Sequence, residues 1–433
     1  MRSLAVTTLA VVLATTCGAL RVQAQGSATM SRERIAVGCD IARTKVIAVR
    51  YGARITSVIP SIGAALVEAP TPTAAAAFEA ALIAAHAASA VESPNGTTSF
   101  STSGPSSVPI INPAGSPTLV ASQPAFGSLY GWISGLPPTS LSTLFSDVVV
   151  AVLDSGVDSL HPLVAGRLHP ASADFVDPGT APDDTADGID QNGDGIVDEA
   201  YGHGTFIAGL VLAACPSARV MALRVVDDEG RGSVFAIAQA IDHAERKGAH
   251  IINLSLGLPT SSPVVAAAID RALQRGVTVF ASAGNGATNL PQFPASHPGV
   301  LAIAATYLAP PTVPGFPSSP FGALFPIVPL ETLAPYSNWG FVDFAAHGSG
   351  VTSAYPGNRY VTWSGTSMAS GVAAGLGGLA LALSPALTPT GLESLMEQSC
   401  TTVTALPGTG PNPAGAGSIS ALLCGVNAWL SGL

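Results

Sequence analysis

The chain is short of charge. Asp, Glu, Lys and Arg make up only 10% of its 433 residues, where soluble domains carry about 25%. Its 17 basic residues are outnumbered by 27 acidic ones and form no clusters. Attraction to phosphate or anionic lipid therefore has no source, and no nucleic-acid partner is expected. Long apolar runs are also missing beyond the first residues: 46 glycines and 35 prolines interrupt the 48% apolar content. That excludes a polytopic membrane protein, which needs repeated runs of about 20 residues, while the apolar content excludes disorder. At about 150 residues per domain the length allows two or three units, each able to bury a core.

The start of the chain sets the expected compartment. Arg2 precedes an apolar run from Leu4 to Leu20, and Val22-Gln23-Ala24 offers small residues at a cleavage position. This reads as a secretory signal peptide over residues 1–24, with an uncleaved anchor as the alternative. The expectation is a secreted, extracellular product, or a periplasmic one, without stable membrane insertion. Cys39, Cys215, Cys400 and Cys424 then remain. Export permits a bridge, for which Cys400 and Cys424 are the preferred pair, or all four are small buried side chains.

From Arg32 to Glu92 the pattern is strand, strand and an Ala-rich helical run from Thr73 to Ala90, a small α+β unit assigned to residues 25–95. Residues 96–123 are rich in Ser, Thr, Gly and Pro and read as a linker. From residue 124 to 433, short apolar strands alternate with helices: Val148–Leu153, Val220–Val226, a helix from Ser233 to Lys247, Ile251–Leu256, a helix from Pro263 to Arg275, Val277–Ala281 and Val300–Ala305. The fold class is α/β, a mainly parallel sheet with helices on both faces. Ligands in such sheets sit beyond the carboxyl ends of the strands. Asp154, Ser255 and Asn285 fall there.

Asp154 ends the apolar run Val148–Leu153, where a carboxylate is expensive to desolvate unless a donor meets it; a turn or cap aspartate is the plain alternative. His203 lies in Gly202-His203-Gly204-Thr205, whose glycines permit close approach of other backbone, although a lone histidine is often a core residue. Ser367 lies in Gly365-Thr366-Ser367-Met368-Ala369-Ser370 ahead of the small apolar run Gly371–Leu383. There its hydroxyl meets the positive end of a helix, or serves as an N-cap. A hydroxyl nucleophile needs a base and the base an orienting carboxylate. The order Asp, His, Ser is that of subtilisin-type enzymes, and no histidine follows Ser367 as an α/β-hydrolase would require.

Asp154-Ser155-Gly156-Val157, Gly202-His203-Gly204-Thr205 and Gly365 to Ser370 together resemble the three signatures of the subtilisin-like serine peptidases (subtilases). The resemblance covers Phe126 to Leu433, and the unit at Arg32–Glu92 resembles that family's inhibitory propeptide. It implies Asp154 as orienting acid, His203 as general base, Ser367 as nucleophile and Asn285, in Ser282-Ala283-Gly284-Asn285, as oxyanion donor. Ser255-Leu256-Gly257 resembles the edge strand that pairs with substrate backbone, and Ser282, Ala283 and Gly284 would line an uncharged pocket for an apolar or varied P1 side chain. Three departures stand out. Gly371-Val372 replaces a common Pro-His, Ala345-Ala346-His347-Gly348 replaces Ala-Pro-Gly, and His161-Pro162-Leu163 lacks a carboxylate that often binds calcium in relatives.

Asp190, Asn192, Asp194, Ile196 and Asp198 place oxygen ligands at alternate positions, with Gly195 sixth, like the first half of an EF-hand loop. Tyr201 stands at the twelfth position, where that loop has Glu. Calcium is the expected cofactor, with a solvated acidic loop as the alternative. The combined expectation is a secreted serine endopeptidase acting on polypeptides through an acyl-enzyme, made as a precursor whose own propeptide inhibits it until autoprocessing. The rival is a catalytically silent, exported, calcium-dependent binding protein on the same fold.

Overall fold

The computed structural model describes residues 32–85, 90–92, 118–120, 147–191, 193–258, 260–309, 330–405, 409 and 414–419. The expected signal segment, Asn192 and Cys424 lie outside the described residues, so the Cys400–Cys424 pairing does too.

The N-terminal unit runs β1 (Glu33–Val37), α1 (Ile41–Arg50), β2 (Arg54–Ile59), β3 (Ala64–Glu68), α2 (Pro72–Ala84) and β4 (Ala90–Glu92). Its sheet is antiparallel in the order β2-β3-β1-β4. Alternation along β1 divides two cores. Ala36 faces Ile47, Phe78 and Leu82 beneath the unit's own helices, while Ile35 and Val37 join the core of the larger domain. Helix α1 was not foreseen; its N-cap is Asp40, whose side chain accepts from the amides of Ala42 and Arg43. The Ala-rich helix expected to reach Ala90 stops at Ala84, and Ala90 instead pairs with Val37. Alanine favours helix locally, but the free edge of β1 overrides that preference.

The rest of the chain forms β5 (Thr118–Val120), β6 (Val149–Asp154), β7 (Ala173–Asp174), α3 (His203–Ala214), β8 (Arg219–Arg224), α4 (Val234–Arg246), β9 (Ile251–Leu254), α5 (Pro263–Gln274), β10 (Thr278–Ser282), β11 (Leu301–Ala309), β12 (Leu330–Leu333), β13 (Phe344–His347), β14 (Val351–Tyr355), β15 (Arg359–Trp363), α6 (Thr366–Leu383), α7 (Pro389–Gln398), β16 (Cys400–Thr401) and β17 (Ser418–Ile419). The main sheet has the order β16-β17-β13-β11-β10-β9-β6-β8-β7, with β12 added beside β11. Every pair from β13 to β7 along that path is parallel. Residues 96–123, expected to be an unstructured linker, contain β5, which pairs antiparallel with β15 through Leu119 and Val361.

Both faces of β6 are buried, which is why its sequence is an unbroken apolar run. Val150 and Val152 meet α3 and α6 on one side, while Ala151 and Leu153 belong to the core under α4 and α5 on the other. Ser233 and Ser262 cap α4 and α5 by accepting from Phe235 and Val265 amides. Among the described residues α6 is the helix long and apolar enough to cross a membrane, yet 94% of that stretch is buried inside the protein. A helix apolar all round belongs in a core.

Small residues let α3 and α6 touch. A methyl group on Gly375 would lie 2.6 Å from Ala214 Cβ and 2.9 Å from the Val211 carbonyl, whereas one on Gly378 would meet nothing closer than 3.4 Å. Gly375→Ala is therefore expected to destabilise by about 1–3 kcal/mol through overpacking. Gly378→Ala is expected to be neutral or stabilising, since alanine is the better helix former by about 1 kcal/mol. Unfolding midpoints of the two variants test this; equal losses would refute the close-crossing account.

Candidate active site

The strand register lines up the candidate residues. Asp154 pairs with Arg224 of β8, Leu153 with Leu254 of β9, and Leu254 with Ala281 of β10. Their carboxyl ends thus lie side by side where successive strands depart to opposite sides of β6, the usual crevice of a doubly wound sheet. Asp154 is 2% exposed. Its Oδ1 accepts from the Ser155 amide at 2.8 Å and meets His203 Nδ1 at 2.8 Å. A carboxylate can only accept there, so Nδ1 carries the proton, and in the neutral imidazole the lone pair is then on Nε2. That Nε2 is buried and has no hydrogen-bond partner.

Glycines place the imidazole. His203 opens α3, and Gly202 before it has φ of 85°, with the Tyr355 ring so close that a methyl group would fall 2.3 Å from it. A methyl group on Gly204 would sit 2.1 Å from the Gly156 carbonyl, so the start of α3 lies directly on the turn after Asp154. The Trp363 ring meets the imidazole edge-on at 5.6 Å.

Ser367 occupies the first turn of α6. Its Oγ donates to the Ser255 carbonyl at 3.3 Å, and Ser255 Oγ donates to the Ser367 carbonyl at 3.0 Å. The structure thus brings Asp154 and His203 into direct contact, with the Ser367 hydroxyl turned toward Ser255. Catalytic hydrogen bonds in ligand-free sites often close only around substrate. Asn285 follows β10, and its Oδ1 accepts from Thr366 N at 2.8 Å and Thr366 Oγ1 at 2.9 Å. Holding the oxygen end fixes the direction of the amide.

Ser255, Leu256 and Gly257 are buried and lie past the end of β9. They lie outside the sheet, because β9 is flanked on both sides by β6 and β10 and ends at Leu254. Ser282 and Ala283 are buried and Gly284 is half-buried.

Residues 146–417 match the subtilase family. Over 245 residues the chain is 33% identical to thermitase from Thermoactinomyces vulgaris, covering 54% of this chain and 75% of that one. It is 32% identical to subtilisin BL from Lederbergia lenta, over 60% of this chain and 85% of that one. Among solved structures it is similar to fervidolysin from Fervidobacterium pennivorans, a keratinolytic enzyme related to subtilisin. That likeness has a TM-score of 0.66 at 21% identity, over 91% of this chain and 60% of the other, and bears on the fold. The chain belongs to the subtilase family. It is a subtilisin-like serine endopeptidase.

In this subtilase two of the three departures noted in the sequence lie in close contacts. Gly371 faces Ile207 of α3, whose Cγ2 would be 3.1 Å from an added methyl group. Gly348 accepts from the Gly365 amide at 2.8 Å just ahead of Ser367.

Sequence reasoning missed two buried side chains that brace the site. Asp184 Oδ2 accepts from Thr205 Oγ1 at 2.6 Å and Thr205 N at 3.1 Å, and its Oδ1 from Gly202 N at 2.9 Å and Ser155 Oγ at 3.3 Å. One carboxyl group therefore ties the turn after Asp154 to both sides of His203. Asn338 does the same for the Asn285 loop: Oδ1 accepts from Gly286 N at 2.9 Å and Nδ2 donates to the Ala283 carbonyl at 2.9 Å. Neither stands in a recognisable motif, and burial is what gives them weight.

The acidic loop also gathers differently from the expected ligand set. Among the described residues the carboxylates that converge are Asp187, Asp198 and Asp228, with ligand atoms within 4.8 Å of one another. Asp198 belongs to the expected set; Asp187 and Asp228 do not. Asp190 is instead turned inward, accepting from the Gly193 and Gly195 amides at 2.6 and 2.9 Å, and Asp194 accepts from the Ile196 amide at 2.9 Å. Burial, and then the charge of Asp187, push the Asp228 carboxyl above its ordinary range. Three crowded oxygen donors of like charge fit a hard cation such as calcium.

Burial outweighs the hydrogen bonds that Asp184 accepts and pushes its carboxyl from the ordinary 3.8 up to about 7. Its folded-state value is thus raised, so the folded chain keeps a proton that the unfolded chain releases. This contribution to stability is full below the ordinary carboxylate range and is lost as pH rises through about 7. Asp184→Asn, which cannot titrate, is expected to flatten that descending limb. Unfolding midpoints measured from acid to mild alkali give the comparison, and parallel curves for the two proteins would contradict it.

Proposed function

We propose that Asp154, His203 and Ser367 are the orienting acid, general base and nucleophile of this endopeptidase, and that Asn285 donates to the oxyanion. The observation that supports this most strongly is the buried 2.8 Å contact of Asp154 with His203 Nδ1, which leaves Nε2 as an unpartnered acceptor. In the reaction the Ser367 hydroxyl turns from the Ser255 carbonyl to Nε2, surrenders its proton and attacks the peptide carbonyl. His203 then protonates the leaving amine, and water hydrolyses the acyl-enzyme by the same route. Negative charge on the carbonyl oxygen meets the Asn285 amide and the N–H groups opening α6. Ser255, Leu256 and Gly257 bind the substrate backbone, while Ser282, Ala283 and Gly284 flank its P1 side chain.

The product is a secreted precursor with a signal peptide over 1–24, a propeptide over 25–95, a tether over 96–123 and the peptidase over 124–433. Support for a docked propeptide comes from its contacts with α4. Gln239 Nε2 donates to Ser57 Oγ at 3.0 Å, and the Ser61 hydroxyl donates to the Asp242 carboxylate. Ser367→Ala is expected to accumulate unprocessed precursor while the wild type yields a shortened chain on the same gel. Identical processing of both would refute the assigned nucleophile.

Asp187, Asp198 and Asp228 are the residues that would hold calcium. Bound there, the cation supplies charge neutralisation that fixes the loop leading to His203. Treatment with a calcium chelator is expected to lower the unfolding temperature, and Asp228→Asn to reduce that response. An unfolding temperature indifferent to chelation would remove the calcium assignment.

A further inference from the structure

We propose that β5 is the N-terminal strand of the mature peptidase. The maturation cut falls on its N-terminal side, and the strand stays paired with β15, where it holds the segment that carries Trp363 and leads to Ser367. The inference rests on the reading above, in which Ser367 processes its own precursor, and it moves the start of the peptidase from residue 124 to Thr118 or earlier.

The two ends of the tether lie on opposite faces of the main sheet. The N-terminal unit, which closes with β4 at Glu92, packs Ile35, Val37 and Ile59 into the core under α4 and α5. Strand β5 instead pairs with β15, whose Val361 and Trp363 belong to the core with α3 and α6. Ser367 lies in the first turn of α6, at the end of the sheet where the two faces meet. The chain that joins the faces, between Glu92 and Thr118, is therefore the stretch that a nucleophile at that end can cut while both of its ends remain docked.

Strand direction gives the same answer. Thr118, Leu119 and Val120 pair with Thr362, Val361 and Tyr360, so each step back along β5 is a step along β15 toward Trp363 and Ser367. A bond on the N-terminal side of Thr118 approaches Ser367 with β5 in place. One beyond Val120 is directed away from it, and reaches it only if β5 leaves β15 and the chain turns back.

What β5 holds is close to the chemistry. Strand β15 pairs with β14 on its other edge, so without β5 it would be the open edge of a two-stranded ribbon, an arrangement with little stability of its own. Its last residue, Trp363, is 2% exposed and meets the His203 and Phe206 rings edge-on, at 5.6 and 5.7 Å. The residues after it are tied to the turn before β14: Ser364 Oγ accepts from Gly350 N at 2.8 Å, and Gly365 N donates to the Gly348 carbonyl at 2.8 Å. Ser367 follows two positions later. Backbone pairing at β5 thus steadies both the wall beside His203 and the approach to Ser367, and placement of that kind governs turnover more than binding.

Two measurements on protein matured from the full-length chain test this. N-terminal sequencing and intact mass of the wild type are expected to place the new terminus at Thr118 or before it; a mature chain that begins after Val120 overturns the proposal. The second measurement compares Leu119→Pro/Val120→Pro with Leu119→Ala/Val120→Ala, well below their unfolding midpoints. Residues along an antiparallel strand alternate between hydrogen-bonded and open pairs, so the proline pair removes a donor to β15, whereas the alanine pair keeps every backbone N–H. On a peptide substrate the proline pair is expected to lower kcat by about tenfold with KM within about twofold, and the alanine pair to match the wild type. Equal kcat in the proline pair and in either the wild type or the alanine pair overturns the proposal. Where the proline pair fails to mature, the wild-type terminus decides. Wild type that keeps its N-terminal unit and cleaves no peptide overturns the processing assignment of Ser367 instead, and this proposal with it.

Discussion

A carboxylate and an imidazole, both fully withdrawn from water and 2.8 Å apart at the end of a buried strand, set the terms for everything around them. Neither group is tolerable there alone, because an unpaired buried polar group is costly and an unpaired charge more so. Their partnership requires that helix α3 begin within hydrogen-bonding distance of the end of β6. Ordinary residues would prevent that approach: Gly204 lies against the Gly156 carbonyl and Gly202 lies under a tyrosine ring. Those two glycines are therefore best understood as spatial requirements of the pair. The central position of β6, parallel to β8 on one side and β9 on the other, then holds the acid against displacement.

Around that pair the protein uses buried polar side chains as braces between segments far apart in sequence. Asp184 collects donors from Ser155, Gly202 and Thr205, and Asn338 collects Ala283 and Gly286. Each brace converts a loop with no sheet or helix of its own into part of a rigid frame, which is what precise positioning of catalytic groups requires. For Asp184 this has an electrostatic consequence. A carboxyl group withdrawn from water, with the charge of Asp154 nearby as a lesser cause, is stabilised in its protonated form.

Much of this was legible in the sequence, for identifiable reasons. The run Val148–Leu153 is apolar without alternation because both its faces are covered, and the glycine-flanked His203 and Ser367 segments are local patterns fixed by local geometry. Ser233 and Pro263 marked the starts of α4 and α5 to within a residue. What escaped depended on contacts between distant segments. Asp228 converges with Asp198 and Asp187 across some thirty and forty positions of sequence, as the amide bond from Asp187 N to Asp228 Oδ2 at 2.9 Å illustrates, whereas the alternating pattern from Asp190 was visible and satisfies its own loop. The strand at Thr118–Val120 escaped because its only claim to be a strand is the open edge of β15. Helix α1 escaped because five of its ten residues (Ile41, Thr44, Val46, Ile47 and Val49) are β-branched, and its cap at Asp40 was the signal available.

The relation between Ser255 and Ser367 links binding to chemistry. The two serines exchange hydrogen bonds, each hydroxyl donating to the other's carbonyl, and Ser255 is itself held by Asn253, which receives the Ser370 hydroxyl one turn further along α6. The segment proposed to bind the substrate backbone and the helix that carries the proposed nucleophile are thus one hydrogen-bonded unit, anchored in the sheet through β9. A hydroxyl that rests on the Ser255 carbonyl is not yet engaged with the imidazole, and its short rotation is opposed by the loss of that one bond.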